Sequence, residues 1–312
     1  MVATYRRDWI SVPLSVCLAL ALSITFTVAK SLDAPPPQDK KPPHPYWQPP
    51  DVDKPIPSLS PTPACSLPDV LKQAGQRAEK LLDHLQNFIA HERVRYEQTD
   101  RVGSLEVSGS GYFDYLVDFG DQRVVKVKEL RNPLDAATDK SLSGVLDKGL
   151  PVLALIFVPD LQRDYEMSCE GSAQWDGQPV WVVHFRQIKG KHPRTMMMET
   201  ATEARPHSQT TTEIRPLRLK GRAWISGDSG QVVHLETNLV EGILLIDLKE
   251  VAVSVDYAPV RFKAQDGEVW LPKFAVAYTD YAQRRMIIEH TFSDFQLFSV
   301  QTREDNQKPK EP

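Results

Sequence analysis

Apolar and polar positions follow two different periods along the chain. From residue 66 to residue 91 the apolar residues recur every three or four positions, which predicts an amphipathic helix. Ser66 is a suitable N-cap for this helix, and Asp69 lies where the helix dipole favours a negative charge. Its apolar face consists of Leu71, Ala74, Ala78, Leu81, Leu85, Phe88 and Ile89.

Beyond residue 91 the apolar positions alternate with a period of two, which predicts strands. Three strands are expected first, and residues 142–163 are then expected to form helical turns that pack onto a sheet. The predicted strands cover residues 93–99, 112–119, 122–130, 181–186, 219–225, 232–240, 251–257, 270–278 and 286–292. The apolar phase slips between Asp247 and Glu250, so a bulge or a bend is expected there.

Successive hairpins favour a single antiparallel sheet, and a sheet of this size normally curls. The pattern therefore predicts an α+β fold that is mainly β. We expect a curled antiparallel sheet, open like a half-barrel, with helices covering its concave face.

The first residues predict export across a membrane. Arg6 and Arg7 precede residues 10–29, a run without charged side chains. Such a run is typical of a cleaved signal peptide, and it is also long enough to remain as a membrane anchor. Both alternatives stay open for residues 1–29. The rest of the chain is expected to be periplasmic or secreted, or anchored in the inner membrane by residues 10–29.

Residues 30–65 form a proline-rich linker that contains 12 of the 25 prolines of the chain. We expect it to run as an extended polyproline II spacer. A sharper alternative is a docking peptide around Tyr46 and Trp47 for a protein partner in the envelope. The β-rich domain is expected over residues 66–302, and residues 303–312 form a polar tail.

Composition and motifs exclude several classes of function. A net charge of -4 and an isoelectric point near 6.1 argue against nucleic-acid binding. Gly227-Asp228-Ser229-Gly230 copies the tetrapeptide around the nucleophile of chymotrypsin-like proteases, but no matching histidine segment lies upstream. His84 and His91, expected on one side of the helix, lack further metal-ligand partners. We therefore predict a protein that is not an enzyme and has neither a metal nor a cofactor.

Two further features bear on the exported part. Cys65 and Cys169 could form a disulfide in an oxidising compartment, or remain two separate buried thiols. Residues 189–218 have no periodicity and are expected to form a flexible loop. Met196, Met197 and Met198 in this loop are soft apolar side chains that suit varied ligands, and the alternative is a disordered insertion.

Several strand segments resemble the LolA/LolB superfamily of outer-membrane lipoprotein carriers and receptors. They are residues 219–225 with the turn Asp228-Ser229-Gly230 and residues 232–237, then 255–257 and 269–272. Residues 289–295 resemble the closing strand of uncharacterised acidobacterial exported proteins. The resemblance covers about residues 68–300, and it implies an open barrel whose hydrophobic cavity receives acyl chains. Two departures are the missing LolB-type lipobox and the long linker.

The functional expectation is an exported binding protein with an apolar cleft for lipid, lipoprotein acyl chains or another hydrophobic ligand. Trp181, Trp224, Trp270 and Phe274 are the candidates for part of the cleft lining, together with Met196, Met197 and Met198. The alternative is a tethered envelope scaffold or sensor that binds protein partners and has no small-molecule ligand.

Overall fold

The structure is a computed structural model, and it describes residues 47–56, 59–60, 65–85, 88–118, 128–134, 150–191, 197–202, 211–262 and 268–297. Ten strands form one open antiparallel sheet in the order β3-β2-β1-β12-β11-β10-β9-β8-β5-β4. These strands are β1 Phe88–Asp100, β2 Leu105–Asp118, β3 Lys128–Pro133, β4 Tyr165–Trp175, β5 Gln178–Gln187, β8 Leu219–Ser226, β9 Val232–Leu239, β10 Leu248–Arg261, β11 Glu268–Tyr281 and β12 Arg284–Leu297. The predicted fold class is confirmed.

Helical segments cover one face of the curled sheet, which we call the inner face; the opposite face is the outer face. The segments are α1 Leu67–Leu85, the 3-10 helix Leu150–Phe157 and α2 Pro159–Gln162. Residues 142–163 were expected to provide such turns. The apolar side of α1 packs into a continuous core with the strand residues that point inward. This core includes Val70, Ala74, Ala78, Leu81, Leu153, Ile156, Phe185, Leu235, Val253 and Ala275.

The first helix ends at Leu85, six residues before the predicted end. Phe88 and Ile89 continue the helical spacing in the sequence, but they begin β1 instead. Phe88 pairs with Leu297 and Ile89 with Leu116, so the backbone hydrogen bonds of two neighbouring strands decide the local structure. His91 therefore lies on β1 and does not share a helix with His84.

Strand β1, the first in the chain, lies between β2 and the last strand, β12. This pairing brings residues about 200 positions apart into register, for example Glu92 opposite Phe292. The predicted irregularity near Asp247 is confirmed, because the register of β10 against β11 shifts between Leu248 and Glu250. Asp247 itself adopts a left-handed conformation with φ 50°.

Residues 189–218, expected to be a loop, contain two short paired strands. They are β6 Met197–Thr202 and β7 Thr211–Pro216, which form a separate two-stranded antiparallel sheet. The regular alternation of apolar residues that marks the main strands is absent from both, and neither strand belongs to the ten-stranded sheet.

Part of the proline-rich segment packs on the outer face of the sheet. We call its described residues, 47–56 and 59–60, the strap. Val52 is fully buried, and its backbone N–H donates to Asn238 Oδ1 at 3.1 Å. The Asn238 side-chain amide donates to the Pro50 carbonyl at 2.7 Å, and Asp53 forms an ion pair with Lys220. The strap thus belongs to the folded part of the chain.

The chain then passes around the edge strand β4. Ser60 and Ser172 exchange two backbone hydrogen bonds, with N···O distances of 2.9 and 3.1 Å. Gly171 allows this close approach, because a Cβ atom there would lie 2.7 Å from the Ser60 carbonyl oxygen and its φ is +146°. A disulfide between Cys65 and Cys169 fixes the next part of the chain, where α1 begins.

Within the described residues, no helix combines the length and the apolar character needed to cross a membrane.

Candidate ligand-binding site

The start of α1 contacts α2 at close range. Gly75 lies at the crossing, where an added Cβ would meet Gln162 Nε2 at 3.1 Å and the Phe157 carbonyl oxygen at 3.2 Å. The Gln162 amide donates to the Leu71 carbonyl at 3.0 Å and to the Phe157 carbonyl at 2.6 Å. One side chain therefore joins α1 to the end of the 3-10 helix.

An open cleft of about 600 Å³ lies beside this junction. It is lined by Leu67, Pro68, Leu71, Lys72, Gln76, Pro159 and Gln162. Leu67 and Leu71 also pack against the main core, so the cleft reaches the apolar interior from the solvent side. Apolar walls with a few polar groups at the rim are typical of sites for small hydrophobic ligands.

The space beneath the helical cover is occupied by side chains of the protein itself. Leu153, Leu155, Ile156 and Phe157 of the 3-10 helix are each at most 1% exposed. The ring of Phe157 contacts that of Phe185 edge-on, with centroids 6.4 Å apart. A ligand could enter the sheet more deeply only if this helix moved away.

A buried polar cluster interrupts the apolar inner face at β1. The Glu92 carboxylate accepts hydrogen bonds from Arg131 Nε at 2.6 Å and Nη2 at 3.1 Å, and lies 2.8 Å from His290 Nδ1. Burial would raise the pKa of Glu92, but the positive charge of Arg131 and the contact with His290 together lower it. His290 is fully buried, and its hydrogen bond with Glu92 is made through Nδ1.

Sequence reasoning missed Glu92, although one signal was present. Glu92 stands in the apolar phase of β1, between the buried residues Ala90 and Val94. A charged residue in that phase needs a buried partner, and the alternation does not say which residue supplies it. Arg131 comes from β3, which is paired with β2 and not with β1.

A second cluster lies on the outer face around His234, which is 5% exposed. Its ring stacks on Trp175 with centroids 4.1 Å apart and meets Trp224 edge-on at 4.7 Å. Nδ1 lies 2.6 Å from Asp256 Oδ1, and Nε2 lies 3.4 Å from Glu236 Oε1. Burial would lower the pKa of His234, but the two carboxylates outweigh it and raise the pKa.

The four aromatic residues singled out from the sequence do not line one surface. Trp181 packs against the core of the inner face, whereas Trp224 is buried on the outer face with Val182 and Val233. Phe274 precedes the inward-facing Ala275 on β11, so it points to the outer face. Trp270 has the same parity as Phe274 and packs against both apolar clusters.

Of the three methionines, Met196 lies outside the described residues. Met197 and Met198 are part of β6, where they pair with Pro216 and Arg215 of β7. The described lining of the cleft contains none of the seven residues proposed from the sequence. Of the apolar lining residues, Leu71 belongs to the apolar face predicted for the helix, whereas no periodic pattern marks Leu67, Pro68 or Pro159.

The protease-like tetrapeptide has a structural role here. Its four residues lie in the connection 227–231 between β8 and β9. The Ser229 carbonyl accepts a hydrogen bond from Arg77 Nε at 2.8 Å, and the Ser226 hydroxyl accepts one from the Ser229 N–H at 3.2 Å. The turn therefore supports α1. Nowhere among the described residues do three or more His, Cys, Asp or Glu side chains form a group that could hold a metal ion.

No protein-family model matches the chain, and no curated protein matches it. Similar solved structures, three of which are described here, share little sequence identity with the chain. An outer membrane lipoprotein-sorting protein domain, so described, from Vibrio parahaemolyticus is 11% identical, with 75% of this chain and 94% of that chain covered and a TM-score of 0.39. A DUF1329 family protein from Desulfovibrio piger is 9% identical, with coverages of 77% and 96% and a TM-score of 0.37.

The third structure, a LolA superfamily protein from Nitrosomonas europaea, is 10% identical, with coverages of 76% and 96% and a TM-score of 0.32.

Proposed function

We propose that this chain is a non-catalytic binding protein of the cell envelope that takes the alkyl part of a lipid or an acylated protein into the cleft between α1 and α2. The cleft formed by Leu67, Leu71 and Pro159 carries the proposal, because it is apolar, open to solvent and continuous with the core. Its volume of about 600 Å³ lies in the range of small-molecule sites.

The rim of the cleft favours an amphipathic ligand. The alkyl group would gain affinity by removing apolar surface from water against Leu67 and Leu71. Lys72 is exposed at the rim and would attract a carboxylate or phosphate headgroup. A chain longer than the cleft would have to break the hydrogen bond from Gln162 to the Leu71 carbonyl and enter between α1 and the 3-10 helix.

A fluorescent fatty acid, 11-(dansylamino)undecanoic acid, tests the proposal when it is titrated into the full chain and displaced with dodecanoic acid. The Leu71→Gln variant should bind the probe about tenfold more weakly, since an apolar wall becomes polar. Leu71→Met should retain binding, and Glu79→Gln on the polar side of α1 is the matched control. Wild-type protein without probe binding, or Leu71→Gln with unchanged affinity, would refute the proposed site.

One observation favours the second candidate, an envelope scaffold or sensor that binds protein partners. Phe157 and its neighbours fill the inner face, as expected for a sheet that holds no internal ligand. Under this alternative the cleft takes an apolar side chain of a partner and the dansyl probe does not bind. Retention of the full chain on an immobilised envelope protein, lost in Leu71→Gln, would then identify the function.

A further inference from the structure

Three turns meet at one end of the sheet. They follow β1, precede β10 and follow β11, and the strand register places Asp100 opposite Arg284, Tyr281 opposite Arg284, and Leu248 opposite Tyr281. The opposite end of the sheet carries the turn between β8 and β9. All three turns therefore face the same way.

Hydrogen bonds and ion pairs hold these turns together. Arg101 donates to Asp280 Oδ1 at 2.9 and 3.1 Å, and it lies 3.6 Å from Asp247 Oδ1. Gln283 donates to Asp247 Oδ2 at 2.7 Å, and the Ala282 N–H donates to the Asp247 carbonyl at 3.1 Å. The ends of four strands thus form one braced surface.

This braced surface presents apolar side chains to solvent. Leu244 is 94% exposed, Leu245 is 79% exposed, and Val102 on the neighbouring turn is 88% exposed. Ile243 and Ile246, on either side of the two leucines, pack against the core and fix the direction in which the leucines project. These three side chains are not buried within the fold. Exposed apolar patches are typical of surfaces that contact a partner protein or a membrane.

The strap begins at the same end of the molecule. Trp47 meets Tyr278 edge-on with centroids 5.7 Å apart, and the Arg285 guanidinium lies 5.0 Å from the Trp47 ring centre. Tyr278 and Arg285 belong to the two strands that flank the turn after β11. Trp47, the first residue of the strap, therefore lies at the end of the sheet that carries the exposed leucines.

We infer that Val102, Leu244 and Leu245, the apolar tip, insert into the interfacial region of a lipid bilayer. Isolated aliphatic side chains on convex turns suit a bilayer, whereas protein interfaces favour aromatic residues and arginine in a packed patch. In the sequence, 17 residues separate Trp47 from the uncharged run at residues 10–29. A chain of that length spans at most about 60 Å, so a bilayer that held this run would be within reach of the tip.

Charged side chains of both signs surround the apolar tip, so its contact with the membrane should be mainly hydrophobic. Lys249 and Arg284 are exposed cations near the tip, and Glu241 and Asp247 are carboxylates of the same region. Because both signs are present, attachment should persist at high salt and with zwitterionic lipid. This distinguishes the tip from a polybasic membrane site, whose binding is lost at high salt.

Spin labels on the full chain test the inference, in a Cys17→Ser background that keeps the Cys65–Cys169 disulfide. A label at Leu245→Cys is compared with a control label at Asp228→Cys, an exposed position at the opposite end of the sheet. The protein is added to vesicles of phosphatidylcholine, or of phosphatidylethanolamine with phosphatidylglycerol. The label at position 245 should become more accessible to oxygen and less accessible to a nickel complex, while the control stays water-exposed.

Equal accessibility at both positions would overturn the inference. Spin–spin broadening at position 245 in the absence of vesicles would also contradict the inference, because it would show that the tip contacts a second copy of the chain. A label at Val102→Cys should report bilayer contact in the otherwise unchanged tip and lose it in Leu244→Ser/Leu245→Ser. The same double variant should bind the dansyl fatty acid as the wild type does. Failure of the membrane contact and failure of the proposed ligand site are therefore distinguishable.

Discussion

Cys65, two residues before α1, forms a disulfide bond with Cys169 of the edge strand β4, 104 positions later in the chain. The bond lies where the chain turns around the edge of the sheet, from the strap on the outer face to α1 on the inner face. It therefore holds the helix that forms one wall of the cleft against the strand at the end of the sheet.

Removal of this disulfide should lower the free energy of unfolding by about 4 kcal/mol, because it closes a loop of 104 positions in the unfolded chain. Guanidinium denaturation of Cys65→Ser/Cys169→Ser, compared with the wild type, measures the difference. Cys17→Ser is the control and should unfold like the wild type. A loss below about 1 kcal/mol would show that the crosslink does not hold α1 in place.

The strap should open when its buried anchor is made polar. Val52→Asp places a carboxylate in a fully buried position and should destabilise the docked strap by about 2 kcal/mol or more. Hydrogen exchange of peptides covering residues 47–60 should then speed up while the peptides of β10 and β11 keep their protection. Lys54→Ala, whose side chain is 79% exposed, is the matched control. Unchanged exchange in Val52→Asp would mean that the strap is held elsewhere.

The stability of the outer face should fall as the pH rises. Asp256 and Glu236 raise the pKa of His234 above its usual 6.5, in spite of the opposing effect of burial. A raised pKa in the folded state stabilises the protein fully below pH 6.5, and this stabilisation is lost as the pH rises through the folded-state value. Urea denaturation from about pH 6 to about pH 9 should show this decline.

His234→Gln should flatten that part of the pH profile. Gln76→Ala, at an exposed position of α1 without a titratable side chain, is the control and should leave the profile as in the wild type. A wild-type stability that is constant or rises across this range would contradict the assignment of a charged imidazolium between the two carboxylates.

Alternation of apolar residues was sufficient to predict most of the sheet and its class. Val251, Val253 and Val255 share the inner face as their spacing predicts, and the shift of phase near Asp247 appears as a shift of register. These features could be predicted because they depend on neighbours in the sequence. The end of α1 was misplaced because the pairing of Phe88 with Leu297 depends on a strand at the other end of the chain.

The strap and the candidate site were harder to predict, because both depend on contacts between distant parts of the chain. The strap is held by Val52 and Asp53, whose partners lie on β9 and β8, and no periodic pattern marks such contacts. The cleft depends on Gly75, where two helical segments cross, and on Gln162, which joins them. Trp181 and Trp224, predicted from the sequence to line one cleft, pack on opposite faces of the sheet.

Photochemical crosslinking tests the central claim most directly. A fatty acid that carries a diazirine near its methyl end is bound to the full chain and irradiated, and the labelled peptides are mapped by mass spectrometry. The proposed site predicts labels on residues 67–76 and 159–162, and their loss when dodecanoic acid competes. Labels confined to the outer face or the apolar tip, or no competable label at all, would contradict the account.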